Sequence, residues 1–153
     1  MAGARRLGVA VDFSACSIKA LNWTVDNVVR EGDNLILIIV RNAHGYEHAL
    51  IPLAEFSDPV LMKRYELKPA PEVIDIVSTA AKQKNIVVLM KIYWGDARER
   101  LCEAIDHVPL DYLTLGNRGL GTLQRVIMGS VSNYVVNNAT CPVTVVKSSV
   151  HNY

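Results

Sequence analysis

Residues 7–40 read LGVAVDFSACSIKALNWTVDNVVREGDNLILIIV, and this stretch decides the fold. Its two ends, 7–11 and 35–40, are short apolar runs without polar and apolar alternation, the pattern of strands buried on both faces. Between them Ile18, Leu21, Val25 and Val28 recur at spacings of 3, 4 and 3, which puts them on one helical face. Ser14 is placed to cap that helix and Gly32 to stop it. Strand, helix and strand in this order make a right-handed crossover between parallel strands.

The same grammar continues outward. IVVLMKI at 86–92, YLTL at 112–115 and VTVV at 143–146 read as three further buried strands. Pro71 suits the first turn of a helix carrying Val73, Ile76, Val77 and Ala80. Asp96 and Glu99 form a capping-box spacing ahead of Ala97, Leu101, Ala104 and Ile105. A last helix is expected from Ser130 to about Asn138, with Val131 and Val135 four apart and Pro142 opening the final strand. The expectation is one doubly wound, three-layer α/β domain over 1–153, with a five-stranded parallel sheet in the order 3-2-1-4-5. Residues 41–69 interrupt it, an insert between the second strand and second helix with Pro52, Pro59 and Pro69 and no sustained period. Ser57 or Asp58 before Pro59 can start a short helix through Tyr65. The insert reads as a surface excursion packing its own Leu, Ile and Phe residues, or as a flap over a ligand crevice.

Composition narrows the function classes. The chain has 153 residues, half of them hydrophobic and 20% charged, with 16 Lys and Arg against 15 Asp and Glu and a net charge of +1. That balance supports a packed core and argues against a dedicated nucleic-acid binder, whose affinity rests on clustered cations. Cys16, Cys102 and Cys141 are odd in number and never in a Cys-x-x-Cys pair, which speaks against a disulfide framework or a structural zinc site. The opening MAGARRLGVAVDFS carries an apolar run of only about five residues, short of a signal or membrane segment. Cytoplasm is the expected compartment, with the nucleus as the other choice, and no membrane contact is expected.

In open α/β sheets ligands bind outside the carboxyl ends of the strands, where strand order reverses. The first strand is followed by Asp12, the second ends at Val40, and the fourth runs into GNRGLGTLQRVIMGSVS, residues 116–132. Glycines at 116, 119, 121 and 129 admit positive φ and close approach of a ligand to the backbone. Ser130 and Ser132 then begin a helix, whose unpaired N–H groups suit an anion such as phosphate. Two rival nucleotide motifs fail: no Gly-Lys pair exists for a P-loop, and the first strand is followed by Asp12-Phe13-Ser14 with no glycine.

These residues resemble the universal stress protein A-like family, in its nucleotide-binding branch and most like its short plant members. The family's phosphate motif, G-x2-G-x9-G followed by Ser or Thr, is met by Gly116, Gly119, Gly129 and Ser130. VAVDFS, GDNLILIIV, YWGDARERL and CPVTVVK extend the likeness over nearly the whole chain. The resemblance implies an adenine nucleotide alpha hydrolase-like, Rossmann-like fold. It implies ATP, or AMP or ADP, as ligand, with Mg²⁺ held through the phosphates. By it, Asp12 would contact the ribose or base, and the main chain around Val40 the adenine edge. Gly116, Arg118, Gly119, Gly129, Ser130, Val131 and Ser132 would surround ribose and phosphates. Many relatives carry Gly where this chain has Phe13, so the approach to the ribose is expected to be tighter or shifted.

No catalytic residue can be assigned, since hydrolysis needs a group to orient water and charge on the transferring phosphoryl. Arg118 can face phosphate in the bidentate geometry of a guanidinium. His44 and His48, four apart in a loop, do not complete a metal shell. Cys16 reads as a buried thiol near the crevice, and Trp23 and Trp94 as packing residues. The final strand, Val143 to Val146, is too apolar to leave as an open edge, so pairing with its two-fold mate in a homodimer is expected, as the resemblance also implies. The functional expectation is a homodimeric, ATP-binding sensor or regulator in a stress response. The alternatives are a chaperone-like or scaffolding oligomer with incidental nucleotide, or a slow ATPase.

Overall fold

Every residue from Leu35 to Ile39 is buried, yet Leu35, Leu37 and Ile39 face one hydrophobic core while Ile36 and Ile38 face another. That is why the run shows no alternation: the sheet has helices on both faces. The computed structural model describes residues 3–43, 49–68, 70–117 and 129–147. Its elements are β1 (Arg6–Ala10), α1 (Ala15–Asn27), β2 (Asn34–Arg41), β3 (Ala49–Pro52), α2 (Pro59–Arg64), α3 (Pro71–Lys84), β4 (Val87–Trp94), α4 (Ala97–His107), β5 (Tyr112–Gly116), α5 (Ser130–Asn138) and β6 (Val143–Val146). A single 3-10 turn, Leu53–Glu55, joins β3 to α2.

The sheet runs β3-β4-β2-β1-β5-β6. Its five parallel strands stand in the expected order, but the sheet has six strands rather than five. The extra one, β3, comes from the 41–69 insert and lies antiparallel on β4, from Ala49 opposite Ile92 to Pro52 opposite Leu89. Its four residues are too few, and too close to Pro52, to show a strand period in the sequence. The insert is also no separate excursion. Ile51, Phe56, Met62, Tyr65 and Leu67 are buried in the same core as α1, α3 and one sheet face. Asp58 caps α2, accepting from the N–H groups of Val60 and Leu61 at 2.9 and 3.2 Å, with Pro59 at its start.

Two helix boundaries differ from the sequence reading. Gly32 does take positive φ (+83°), but α1 ends earlier, with Val28 as C-cap. Two cations finish it. Arg5 donates to the Val28 carbonyl at 2.9 Å, and Lys84 donates to the carbonyls of Val25 and Val29. Positive charge satisfies the orphan carbonyls and complements the helix dipole, so no glycine is needed there. At α4, Asp96 accepts from Arg98 N–H at 2.8 Å and pairs with the Arg98 guanidinium, while Glu99 turns to Arg100 instead of closing a capping box.

The second core, on the opposite face, joins Ala10, Ile36, Ile38, Leu113 and Leu115 to Leu101, Ala104 and Ile105 of α4 and Val135 of α5. Among the described residues no helix is long and apolar enough to cross a membrane. The three cysteines are unbridged, and no group of three or more His, Cys, Asp or Glu could hold a metal among the described residues.

Candidate functional site

Strand order reverses between β1, which leads through α1 to β2 on one side, and β5 on the other. Asp12 stands just beyond the carboxyl end of β1, at that reversal. Its Oδ1 accepts from the Ser14 N–H at 3.0 Å and from the Ser14 hydroxyl at 2.5 Å. Ser14 in turn is the N-cap of α1 and accepts from Ser17 N–H at 3.2 Å. The fully buried Ser17 hydroxyl donates to the Ser14 carbonyl at 3.0 Å and accepts from Asp12 N–H at 3.3 Å. Asp12 is therefore not the cap itself but the support of the cap. One carboxylate oxygen is committed, and Oδ2 has no partner among the described residues. Sequence reading missed Ser17, whose signal was a second serine three residues after the cap.

Phe13 completes the turn with φ +65°, a left-handed conformation unusual for an aromatic residue. Pinned on both sides by the Asp12–Ser14 bonds, it takes the backbone shape that a glycine would adopt without cost.

Val40 approaches the reversal from β2. Residues of a parallel strand send both peptide groups alternately to one neighbour and the other. Asn34 donates to Arg5, and Ile38 accepts from Val11 at 2.9 Å, so even-numbered residues face β1. Arg41, accepting from Gly95 N–H at 2.8 Å, faces the other way. Val40 thus turns its N–H and C=O toward the β1 side, past the last paired residue of that strand, Ala10. From β5, Gly116 does the same by the same parity, since Leu113 and Asn117 donate to Pro142 and Val146 of the β6 side. The absence of a Gly116 side chain has a packing cause: a Cβ there would lie 2.6 Å from Cys16 Sγ.

The third wall is the start of α5. Gly129 is its N-cap with φ +85° and no side-chain cap, and Ser130, Val131 and Ser132 form its first turn. The Ser132 hydroxyl, nearly buried, donates to the Gly129 carbonyl at 3.1 Å. A Cβ on Gly129 would come 3.1 Å from that hydroxyl. Among the described residues no side chain covers the first-turn donors of this helix start, which is what an anion requires. Arg118 and Gly119, together with Gly121, His44 and His48, lie outside the described residues. The structure so brings Asp12, Val40 and Gly116 to the carboxyl end of the sheet and gives α5, with Gly129 through Ser132, an uncapped start after β5.

A doubly wound sheet of this order, carrying helices on both faces, makes the chain a Rossmann-like α/β protein. Residues 3–147 match the universal stress protein family, and the chain belongs to it. Universal stress protein PHOS32 of Arabidopsis thaliana is 34% identical over 164 residues, covering 95% of this chain and 66% of that protein. PHOS34 of the same plant is 32% identical, covering 95% and 63%. The chain spans about two thirds of the length of these curated relatives. Among solved structures, an Arabidopsis thaliana universal stress protein family protein with AMP bound superposes with a TM-score of 0.61 at 19% identity, over 95% of this chain and 93% of that one. A universal stress protein in complex with cAMP gives 0.60 at 21%, over 95% and 98%. At these identities the likeness is one of fold.

Proposed function

We propose that the chain binds an adenine nucleotide, ATP with ADP or AMP in the same place, and works as a homodimeric, nucleotide-dependent regulator in stress adaptation. The observation that carries the reading is the glycine-led start of α5, without a side-chain cap among the described residues, following the strand that flanks the sheet's reversal point. A polyanion there meets backbone N–H groups and the positive end of the helix dipole. Asp12 Oδ2 is left to accept from ribose hydroxyls. The Val40 peptide offers one donor and one acceptor side by side, matching the acceptor N1 and donor N6 of adenine and mismatching guanine, whose edge reverses them. Arg118 and Gly119 belong to the same proposed cradle, by the family motif. The AMP and cAMP held by the structural neighbours support an adenine ligand.

ATP supplies the charged tail and base edge that these groups would hold, and Mg²⁺ would be carried by the phosphates. With Asp12 engaged at the sugar and no group assigned to orient water, binding is favoured over turnover. Cytoplasmic placement, or nuclear, belongs to the same proposal. Calorimetry with ATP, ADP, AMP and GTP tests it: one saturable adenine-nucleotide site per chain and GTP at least about tenfold weaker are expected. No adenine binding below about 1 mM, an affinity of only ~4 kcal/mol, overturns it.

A further inference from the structure

Phe13 belongs to two structures at once. Its backbone carries the turn in which Asp12 Oδ1 accepts from Ser14, and its side chain packs against the core that the insert helps to build. There it shares one small gap with Phe56 and Met62 of the insert, Val73 of α3 and Met90 of β4, of which about 10 Å³ is empty, room for about one water. Phe56 and Met62 are each only 2% exposed, so the seat is close to filled.

At φ +65° the Phe13 backbone lies in the left-handed region, which costs free energy for any residue with a Cβ. Burial of the ring offsets that cost. A relaxed turn with negative φ would draw the ring from its seat and re-aim the Asp12 and Ser14 groups on either side of it. The turn therefore has two arrangements, and the insert stabilises the left-handed one. A ligand on Asp12 favours the same arrangement, and two influences on one two-state element are coupled reciprocally.

We propose that Phe13 is a positioning residue that links the insert to the nucleotide site: seating of Phe56 and Met62 against its ring holds the turn that presents Asp12, and nucleotide on Asp12 in return tightens the insert. The second half rests on the adenine-nucleotide reading; the first does not.

Amide hydrogen exchange across a series of low urea concentrations tests both halves. In nucleotide-free protein the N–H groups of Ser14 and Ser17, bonded to Asp12 Oδ1 and Ser14 Oγ, should open in one step with those of Met62 and Leu67, bonded to the Asp58 and Met62 carbonyls. Phe13→Gly takes the same φ without cost but has no ring, so it should separate the two groups, the insert amides exchanging at least about threefold faster than the turn amides. Phe13→Leu, which keeps an apolar anchor, should hold them together. Different urea dependences of the two groups in wild type overturn the link, as does a Phe13→Gly variant in which they still open together. Saturating ATP should slow Met62 and Leu67 at least about threefold in wild type and not in Phe13→Gly. Wild type that binds ATP with no change at the insert overturns the regulatory half. Wild type that binds no ATP removes the adenine reading and the regulatory half with it, while the urea series still decides the link.

Discussion

Cys16 occupies the space that a side chain on Gly116 would need: a Cβ at 116 would sit 2.6 Å from Cys16 Sγ and 3.2 Å from the Cys16 carbonyl oxygen. α1 and β5, the strand that leads into the proposed phosphate motif, are thus in register through one sulfur and one missing side chain. Gly116→Ala should destabilise the protein by about 1–3 kcal/mol through overpacking. Cys16→Ala in the same chain removes the sulfur but not the backbone contact, so partial recovery of about 1 kcal/mol is expected in a double-mutant cycle by urea unfolding. A fully additive cycle would refute the pairing.

Gly129 and Gly32 both hold positive φ, +85° and +83°, but only Gly129 caps α5. Gly129→Val should weaken ATP at least about tenfold by filling the cradle and straining its backbone. Gly32→Ala meets nothing within 4 Å and carries the conformational cost alone. It should lower the melting temperature by a few degrees and leave the ATP dissociation constant unchanged. An equal effect of both changes on ATP affinity would show that the cradle is not at α5.

Asp33 is buried and accepts from Arg5 at 3.0 and 2.5 Å and from Arg30 N–H at 2.7 Å. Burial alone would raise its pKa, but the Arg5 guanidinium and the Arg30 N–H outweigh it and hold the carboxyl below its ordinary value. With the folded value depressed, the stabilisation is complete above the unfolded value near ~3.9 and is lost as pH falls through the folded value. Asp33→Asn should cost about 2 kcal/mol at neutral pH, and the gap from wild type should close in acid. Urea midpoints measured from pH 7 to pH 2 decide it, and a gap that stays constant with pH would contradict the pairing.

Thr144 and Val146 face β5, since the β5–β6 ladder binds through Pro142 and Val146 carbonyls, so Val143 and Val145 turn their N–H and C=O to the outer edge. Proline is tolerated on an edge strand when its missing donor faces outward. Val145→Pro should therefore keep the fold and abolish the proposed homodimer. Sedimentation velocity alongside circular dichroism reads both, and a folded variant with undiminished dimer mass would remove β6 from the interface.

The parallel core of the fold was legible because strands buried on both faces declare themselves as unbroken apolar runs, and Ser14, Asp58 and Pro71 mark helix starts by their chemistry; α5 does begin at Ser130, but with Gly129 rather than a serine hydroxyl at its N-cap. β3 was not legible, since Ala49 to Pro52 form a strand only by leaning on β4, a tertiary effect with no local period. The end of α1 was misplaced because Arg5 and Lys84 reach it from outside the helix. At the crevice the sequence pointed to Asp12, Val40 and Gly129. It could not show that Ser14 and Ser17 steady Asp12, that Phe13 is left-handed, or that Gly116 answers to Cys16.

The antiparallel strand from the insert makes the two flanks of the sheet unlike. On one side β3 is four residues long and ends at Pro52, a poor template for recruiting another chain. On the other, Val143 and Val145 have no ladder partner on their outer side among the described residues. In the proposed homodimer, lateral association would thereby be polarised: a sheet with one receptive margin joins its mate once around a two-fold axis and then terminates, rather than propagating as a fibre.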